Sequence, residues 1–217
     1  VRLEGPGIAR GMFNFAAGSG GVPVATGGSA SVPSVRVPIN IAVTPGQEIL
    51  IFAENVHGDM GTSEVGVTLE FGSEAGPEGV SKGEITVEVE LTAIDTLTRM
   101  TAQGSVTAPS RLTPPDATML KRVIVSFAGD GQADGEANII LRLGGDAIKG
   151  GEQTLIVGAN SRIAVQTGSD AAPNVMAPQI FDNLNLEINP QETMDFSAEM
   201  AGVDTGTIGI IVTAIFQ

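Results

Sequence analysis

Gln47–Phe71, QEILIFAENVHGDMGTSEVGVTLEF, decides how the chain is read. Apolar residues crowd both ends, and Gly58, Asp59 and Gly61 lie between them, so the stretch reads as strand, turn, strand. In its second strand Val65, Val67, Leu69 and Phe71 share one face, and Gly66, Thr68 and Glu70 share the other. The chain closes on a related stretch, Gln191–Phe216, QETMDFSAEMAGVDTGTIGIIVTAIF.

The likeness extends upstream. Pro33, Ile39–Val43 and Pro45 match Pro178, Leu184–Ile188 and Pro190 at a constant separation of 145 residues (190 − 45). Gln47-Glu48, Phe52 and Gly58 then match Gln191-Glu192, Phe196 and Gly202 at 144, and Gly61-Thr62, Val67-Thr68 and Phe71 match Gly206-Thr207, Val212-Thr213 and Phe216 at 145 again. Val22–Gly27 also resembles Ile163–Gly168. Matched prolines, phenylalanines and turn glycines carry positional meaning that a shared Val/Gly/Thr-rich composition does not, so an internal duplication is expected. A fainter third unit lies between them: Val123–Ala128, Asp134-Gly135, then Ile139–Leu143.

Further strands follow from period-two alternation. Val35, Val37, Ile39, Ile41 and Val43 fall on one face of a strand that Pro38 marks as an edge or a bulge. Ile85, Val87, Val89 and Leu91 point inward, with Thr86, Glu88 and Glu90 toward water. Leu97–Ala102, Thr154–Val157, Ile163–Val165, Ile180–Ile188, Thr193–Met200 and Ile208–Phe216 complete the set. The only helix candidate is one turn capped by Asp116 and running to Leu120. Short strands with regular turn signals and almost no helical period predict an all-β fold: an antiparallel β-sandwich of jelly-roll type, built from repeated strand–turn–strand units. Residues 1–34, rich in Gly, Ala and Ser with Pro6, Pro23 and Pro33, read as an N-terminal arm with short strands near Met12–Ala16 and Val22–Thr26. Residues 35–217 read as one sandwich body, with repeats at about 10–71, 85–143 and 151–216.

Composition narrows the function. With 217 residues and 42% hydrophobic content the chain can bury a core, but its only aromatic residues are phenylalanines, at 4%. Stacking platforms for sugars or bases are therefore not expected. A net charge of −14, with only Lys82, Lys121 and Lys149 as lysines, leaves no basic patch for nucleic acid. Acid-rich, lysine-poor chains also suit high salt, where cations screen self-repulsion, so a halophilic source and an ordinary acidic protein are both expected readings. The absence of cysteine removes disulfides, thiolate zinc sites and thiol catalysis. No Asn-x-Ser/Thr sequon occurs, and no apolar run reaches the ~18 residues of a membrane helix. The residues after Val1 lack the charged and apolar regions of a secretory leader, so an initiator Met or a leader has been removed or the piece begins here.

Side chains that carry chemistry are sparse. The single histidine, His57, sits two residues before Asp59 in a turn whose counterpart carries Ala201, which favours an exposed turn residue over a catalytic pair. Glu88 and Glu90 share a strand face and read as solvated. Asp130-Gly-Gln-Ala-Asp134-Gly135 begins like a calcium loop, which makes Asp130 and Asp134 the candidate metal ligands, but its twelfth position is Leu141 where the loop needs a bidentate Glu. Asp59, Asp134 and Asp204 also occupy turns beside Gly61, Gly135 and Gly206, where Asp and Gly serve turn geometry. No catalytic residues and no cofactor other than that possible calcium are expected.

The expectation is therefore a structural protein, not an enzyme, that assembles with copies of itself and with other coat subunits. Three features motivate it: the many apolar strands, the Gly/Pro-rich arm, and an apolar terminal strand that must pair in a sheet, either within the chain or across a subunit boundary. A virion shell (capsid) protein comes first. An extracellular or cell-surface filament subunit joined by strand donation comes second, and a secreted carbohydrate- or calcium-binding sandwich third.

Overall fold

The computed structural model describes residues 1–14, 36–53, 67–72, 79–93, 95–102, 111–129, 135–157, 163–165, 178–202 and 208–217. Its centre is the apolar C-terminal segment. β14 (Ile208–Phe216) pairs along its whole length with β4 (Gly83–Leu91) on one side and β7 (Met119–Gly129) on the other, antiparallel to both. β6 (Thr101–Ala102) extends the sheet beyond β4, and β11 (Gln179–Phe181) and β12 (Leu186–Glu187) extend it beyond β7. The chain's last strand, expected to pair either within the chain or across a subunit boundary, thus pairs within the chain on both sides.

A second sheet faces it. β8 (Gly135–Gly144) pairs with β9 (Gln153–Val157) and β10 (Ile163–Val165) on one edge and with β13 (Asp195–Gly202) on the other; β5 (Thr98–Arg99) closes the far side of β13. Ile85, Val87, Leu120, Val123, Val125, Val212, Ala214 and Phe216 of the middle sheet meet Leu141, Leu143, Phe196, Ala198 and Met200 of the outer sheet in one fully buried core. Each such Val, Leu, Ile, Phe or Met side chain contributes roughly 1.5–3 kcal/mol by leaving water. The all-β, antiparallel expectation holds: the described residues contain no helix, and Met119 already begins β7 where a helical turn was expected.

Two of the three strand–turn–strand units, 123–143 and 191–216, are not hairpins. β7 lies in the middle sheet and β8 in the outer one, while β13 lies in the outer sheet and β14 in the middle one. Each unit is an arch that crosses the core, and the two cross in opposite senses. The pairs β7–β14 and β8–β13 nest as in a rolled-up sandwich. A jelly roll would go on to pair β9–β10 with β11–β12. Here β9 folds back onto β8 across the tight turn at Gly145–Gly151, and β11 and β12 fold back onto β7. Asn183 and Asn185, at φ 57° and 51°, separate β11 from β12 where one strand over 180–188 was expected.

The middle sheet is covered on its second face as well where β7 and β14 carry Ile124 and Ile215. β1 (Arg2–Glu4), β2 (Met12–Asn14) and β3 (Leu50–Phe52) form a third sheet in the order β2-β1-β3. Its Leu3 and Phe13, with Ile8 of the turn, pack on Ile124 and Ile215 on the back of the middle sheet. Val37, Ile39, Ile41 and Val43 join this cluster, so their shared face was read correctly. Their backbone is not a ladder strand: Asn40 has φ 45°, and only Val43 bridges, to Ile8. Likewise 67–72 lies outside any ladder although a strand was expected there, while β2 falls within the strand expected near Met12–Ala16 and Arg2–Glu4 adds a strand to the stretch read as an arm. Burial behind the middle sheet also corrects Thr86. Only 3% exposed, it exchanges a hydrogen bond (3.2 Å) with its cross-strand partner Thr213 instead of facing water. Arg122 is buried there as well, its guanidinium bonded to Asp182 and to the carbonyl of Pro38.

Candidate assembly surface

The N-terminal sheet repeats part of the outer sheet bond for bond. β1 leads through Gly5–Gly11 into β2 as β8 leads through Gly145–Gly151 into β9. In both turns the residue three after the first glycine donates back to it (Ile8 to Gly5, Ile148 to Gly145), and the closing glycine donates to that residue in turn. Gly5 and Gly145 have φ +108° and +91°, and Gly11 and Gly151 have φ +82° and +80°. At Gly5 a Cβ would stand 2.9 Å from the carbonyl oxygen of Glu48, and the backbone of Thr193 crowds Gly145 in the same way, so glycine is required twice over at both. Gly7 donates to Glu48 and Ala147 to Thr193; Ala9 donates to Ala42 and Lys149 to Glu187; Thr44 donates to Gly7 and Asn189 to Ala147. The bridges Ile8–Val43 and Ile148–Ile188 correspond, as do the left-handed Asn40 and Asn185.

This pairing keeps the 145-residue separation where the sequence match shifts to 144. β1 sets Leu3 opposite Ile51, and β8 sets Leu143 opposite Phe196, so Ile51, not Phe52, stands where Phe196 stands. One residue of slip exchanges the faces of a strand. Phe52 therefore lies on the outward face of the N-terminal sheet, beside Arg2.

Two rows cross that outward face: Met12–Glu4–Leu50 and Asn14–Arg2–Phe52. Met12, Leu50 and Phe52 are 39%, 42% and 41% exposed. The Arg2 guanidinium lies 5.0 Å from the centre of the Phe52 ring, and its Nε is 2.7 Å from Glu4 Oε1, so the one charge pair on the patch is internally neutral. The corresponding positions of the outer sheet are Glu152, Asp195 and Ser197. There Arg142 pairs with Glu152 and Glu199, both at 3.4 Å, and Asp195 is held by Arg99 and by Arg111 at 3.2 Å. The same framework thus carries charge on one copy and large apolar side chains on the other.

The edges differ too. On β13 the outer edge is used: Met100 N–H donates to the Phe196 carbonyl (2.9 Å) and Asp95 N–H to the Met200 carbonyl (2.8 Å), flanking β5. The matching edge of β3 ends the sheet, with no backbone partner among the described residues. Three consecutive large apolar residues, Leu50-Ile51-Phe52, make both faces of this short strand apolar. That run was the available sign of an uncovered face, but it reads first as core.

At the opposite margin β2 is tied down. Asn14 N–H donates to Glu84 Oε1 (2.8 Å) across the seam between the N-terminal and middle sheets. Burial there pushes the Glu84 carboxyl up to about 7, against the Asn14 bond and the nearby Arg10. Arg10 also bonds Asp116 and holds its carboxyl below the ordinary range; Lys82 lies 3.7 Å from the same carboxylate. Asp130, Asp134, His57, Asp59 and Asp204 lie outside the described residues. Glu88 is half-buried and Glu90 exposed on β4. Among the described residues no three His, Cys, Asp or Glu side chains are grouped to hold a metal, and no helix is long and apolar enough to cross a membrane. Compared with known proteins, the chain matches no family model and no curated relative.

Proposed function

We propose that this protein is a structural subunit that works by assembling with copies of itself, as a virion shell protein of β-sandwich type. The observation that carries the reading is the contrast between the two related sheets. Where the framework recurs on the outer sheet it is closed by ion pairs and an added strand, and on the N-terminal sheet it leaves Met12, Leu50 and Phe52 exposed beside an edge with no backbone partner among the described residues. A face that is charged in one copy and apolar in the other owes its character to something other than folding, and contact with another chain supplies that reason. The acidic surface elsewhere suits solubility before assembly. One motive falls away, because β14 is paired on both sides within the chain.

The open β3 edge also favours the second reading, a filament whose subunits are joined by strand pairing. Electron microscopy of concentrated protein in dilute buffer and in molar sodium chloride separates them: closed shells support the first and linear polymers the second. Monodisperse monomers under every condition would remove both. A calcium-dependent rise in melting temperature that disappears in Asp134→Ala would favour the binding-module reading instead.

A further inference from the structure

We infer that β3 is the seat of a two-fold contact between copies of this chain, in which two β3 strands pair antiparallel and join two three-stranded sheets into one of six; this rests on the self-assembly reading and specifies its contact. The backbone sets the geometry. The Glu48 carbonyl points toward β1, where it accepts from Gly7, so Leu50 and Phe52 direct their polar groups the same way, and Ile49, Ile51 and Ala53 direct theirs outward. The related strand agrees: Phe196, at the position of Ile51, offers its carbonyl outward to Met100. The open edge therefore presents Ile49, Ile51 and Ala53, without a charge, a proline or a bulge to discourage pairing.

A second copy fits this edge for three reasons. The strand is self-complementary: a two-fold axis at Ile51 lets each Ile51 exchange both backbone bonds with the other and sets Leu50 opposite Phe52 twice. The patch is neutral, with Arg2 and Glu4 paired, in a molecule of net charge −14, so repulsion between two copies here comes from Glu48 and Glu54, which flank the strand in the sequence and which salt screens. The related edge shows that this framework accepts an antiparallel strand, since β5 already fills it on β13. Three paired residues and a small apolar patch fall short of the ~1,200 Å² of a stable standalone interface, so the isolated contact is weak, in the roughly micromolar to millimolar range, and gains strength by repetition in an assembly.

The chain has no cysteine, so a single introduced thiol reports the contact without ambiguity. Ile51→Cys, mildly oxidised as the full chain, is expected to form a disulfide dimer at least about tenfold faster than Phe71→Cys, an exposed control, because paired residues across a ladder stand about 5.5 Å apart at Cα, within disulfide reach. In sedimentation velocity the wild type is expected to show a dimer that tightens in molar salt. Leu50→Asp/Phe52→Ser, which copies the outer sheet, should raise its dissociation constant roughly 100-fold, since each residue acts twice. Thermal melting checks that the double variant folds; if it does not, Phe52→Ser alone is read. Equal cross-linking of Ile51→Cys and Phe71→Cys, or assembly that survives Leu50→Asp/Phe52→Ser, would overturn this contact while leaving self-assembly standing. A wild type that stays monomeric at all concentrations and salts, or that associates only with a different chain, would overturn both.

Discussion

The N-terminal sheet and the outer sheet sit on opposite faces of the same middle sheet and share a turn, a register and a set of backbone bonds, yet they are finished differently. The outer sheet puts Phe196 in the core, Asp195 and Glu152 in ion pairs, and β5 on its edge. The N-terminal sheet puts Ile51, 45% exposed, at the position of Phe196, and Leu50 and Met12 at the positions of the acids. One backbone solution can therefore serve as a closed wall or as an open one, and side chains at a handful of register positions decide which.

The comparison breaks most sharply at its matched core positions. Phe196→Ala should cost about 3–5 kcal/mol in urea unfolding, because the ring is fully buried between two sheets, whereas Ile51→Ala should cost less than about 1 kcal/mol. Equal losses would mean that Ile51 is as well covered as Phe196 and that the two matched positions do not differ.

Next in size is the seam at Glu84. A carboxyl pushed up to about 7 holds its proton in the folded chain while the unfolded chain, near 4.5, has released it. Stability from this group is complete below about pH 4.5 and is lost as pH rises through about 7. The wild type should lose on the order of 2 kcal/mol between pH 5 and pH 8, and Glu84→Gln should flatten that part of the profile. An unchanged slope in Glu84→Gln would place the titrating group elsewhere and sever the tie between β2 and β4.

The smallest effect on stability, and the most telling one on assembly, comes from making the outer sheet resemble its counterpart. Glu152→Met with Asp195→Leu removes partly exposed ion pairs to Arg142, Arg99 and Arg111, at a cost within about 1 kcal/mol. The same change adds a second apolar face, and light scattering should show increased association. Unaltered association would mean that apolar side chains on this framework are not enough without an open edge.

Much of the fold was legible before any coordinates. Ile85–Leu91 alternates because it borders one core, and Ile208–Phe216 is almost continuously apolar because both its faces are covered. The 145-residue echo rests on Pro45 and Pro190 and on Asn40 and Asn185, where backbone demands select residues independently of burial. The match failed one residue too early at Phe52 and Phe196, since like residues were aligned where like backbone positions hold Ile51 and Phe196. The open surface was hidden for a related reason: Leu50-Ile51-Phe52 has the same composition as a buried strand, and nothing local says that one side of it lacks a cover.

The amino-acid sequence by itself determined that this chain is built of strands and where several of its tight turns fall, because period-two patterns, glycines at positive φ and prolines act within a few residues. Only the tertiary structure decided that the strand–turn–strand units are arches, that the last strand lies in the middle of three layers, and that Thr86 is buried while Phe52 is not. Those outcomes depend on which sheet comes to rest against which, and that is settled by packing between segments far apart in the chain.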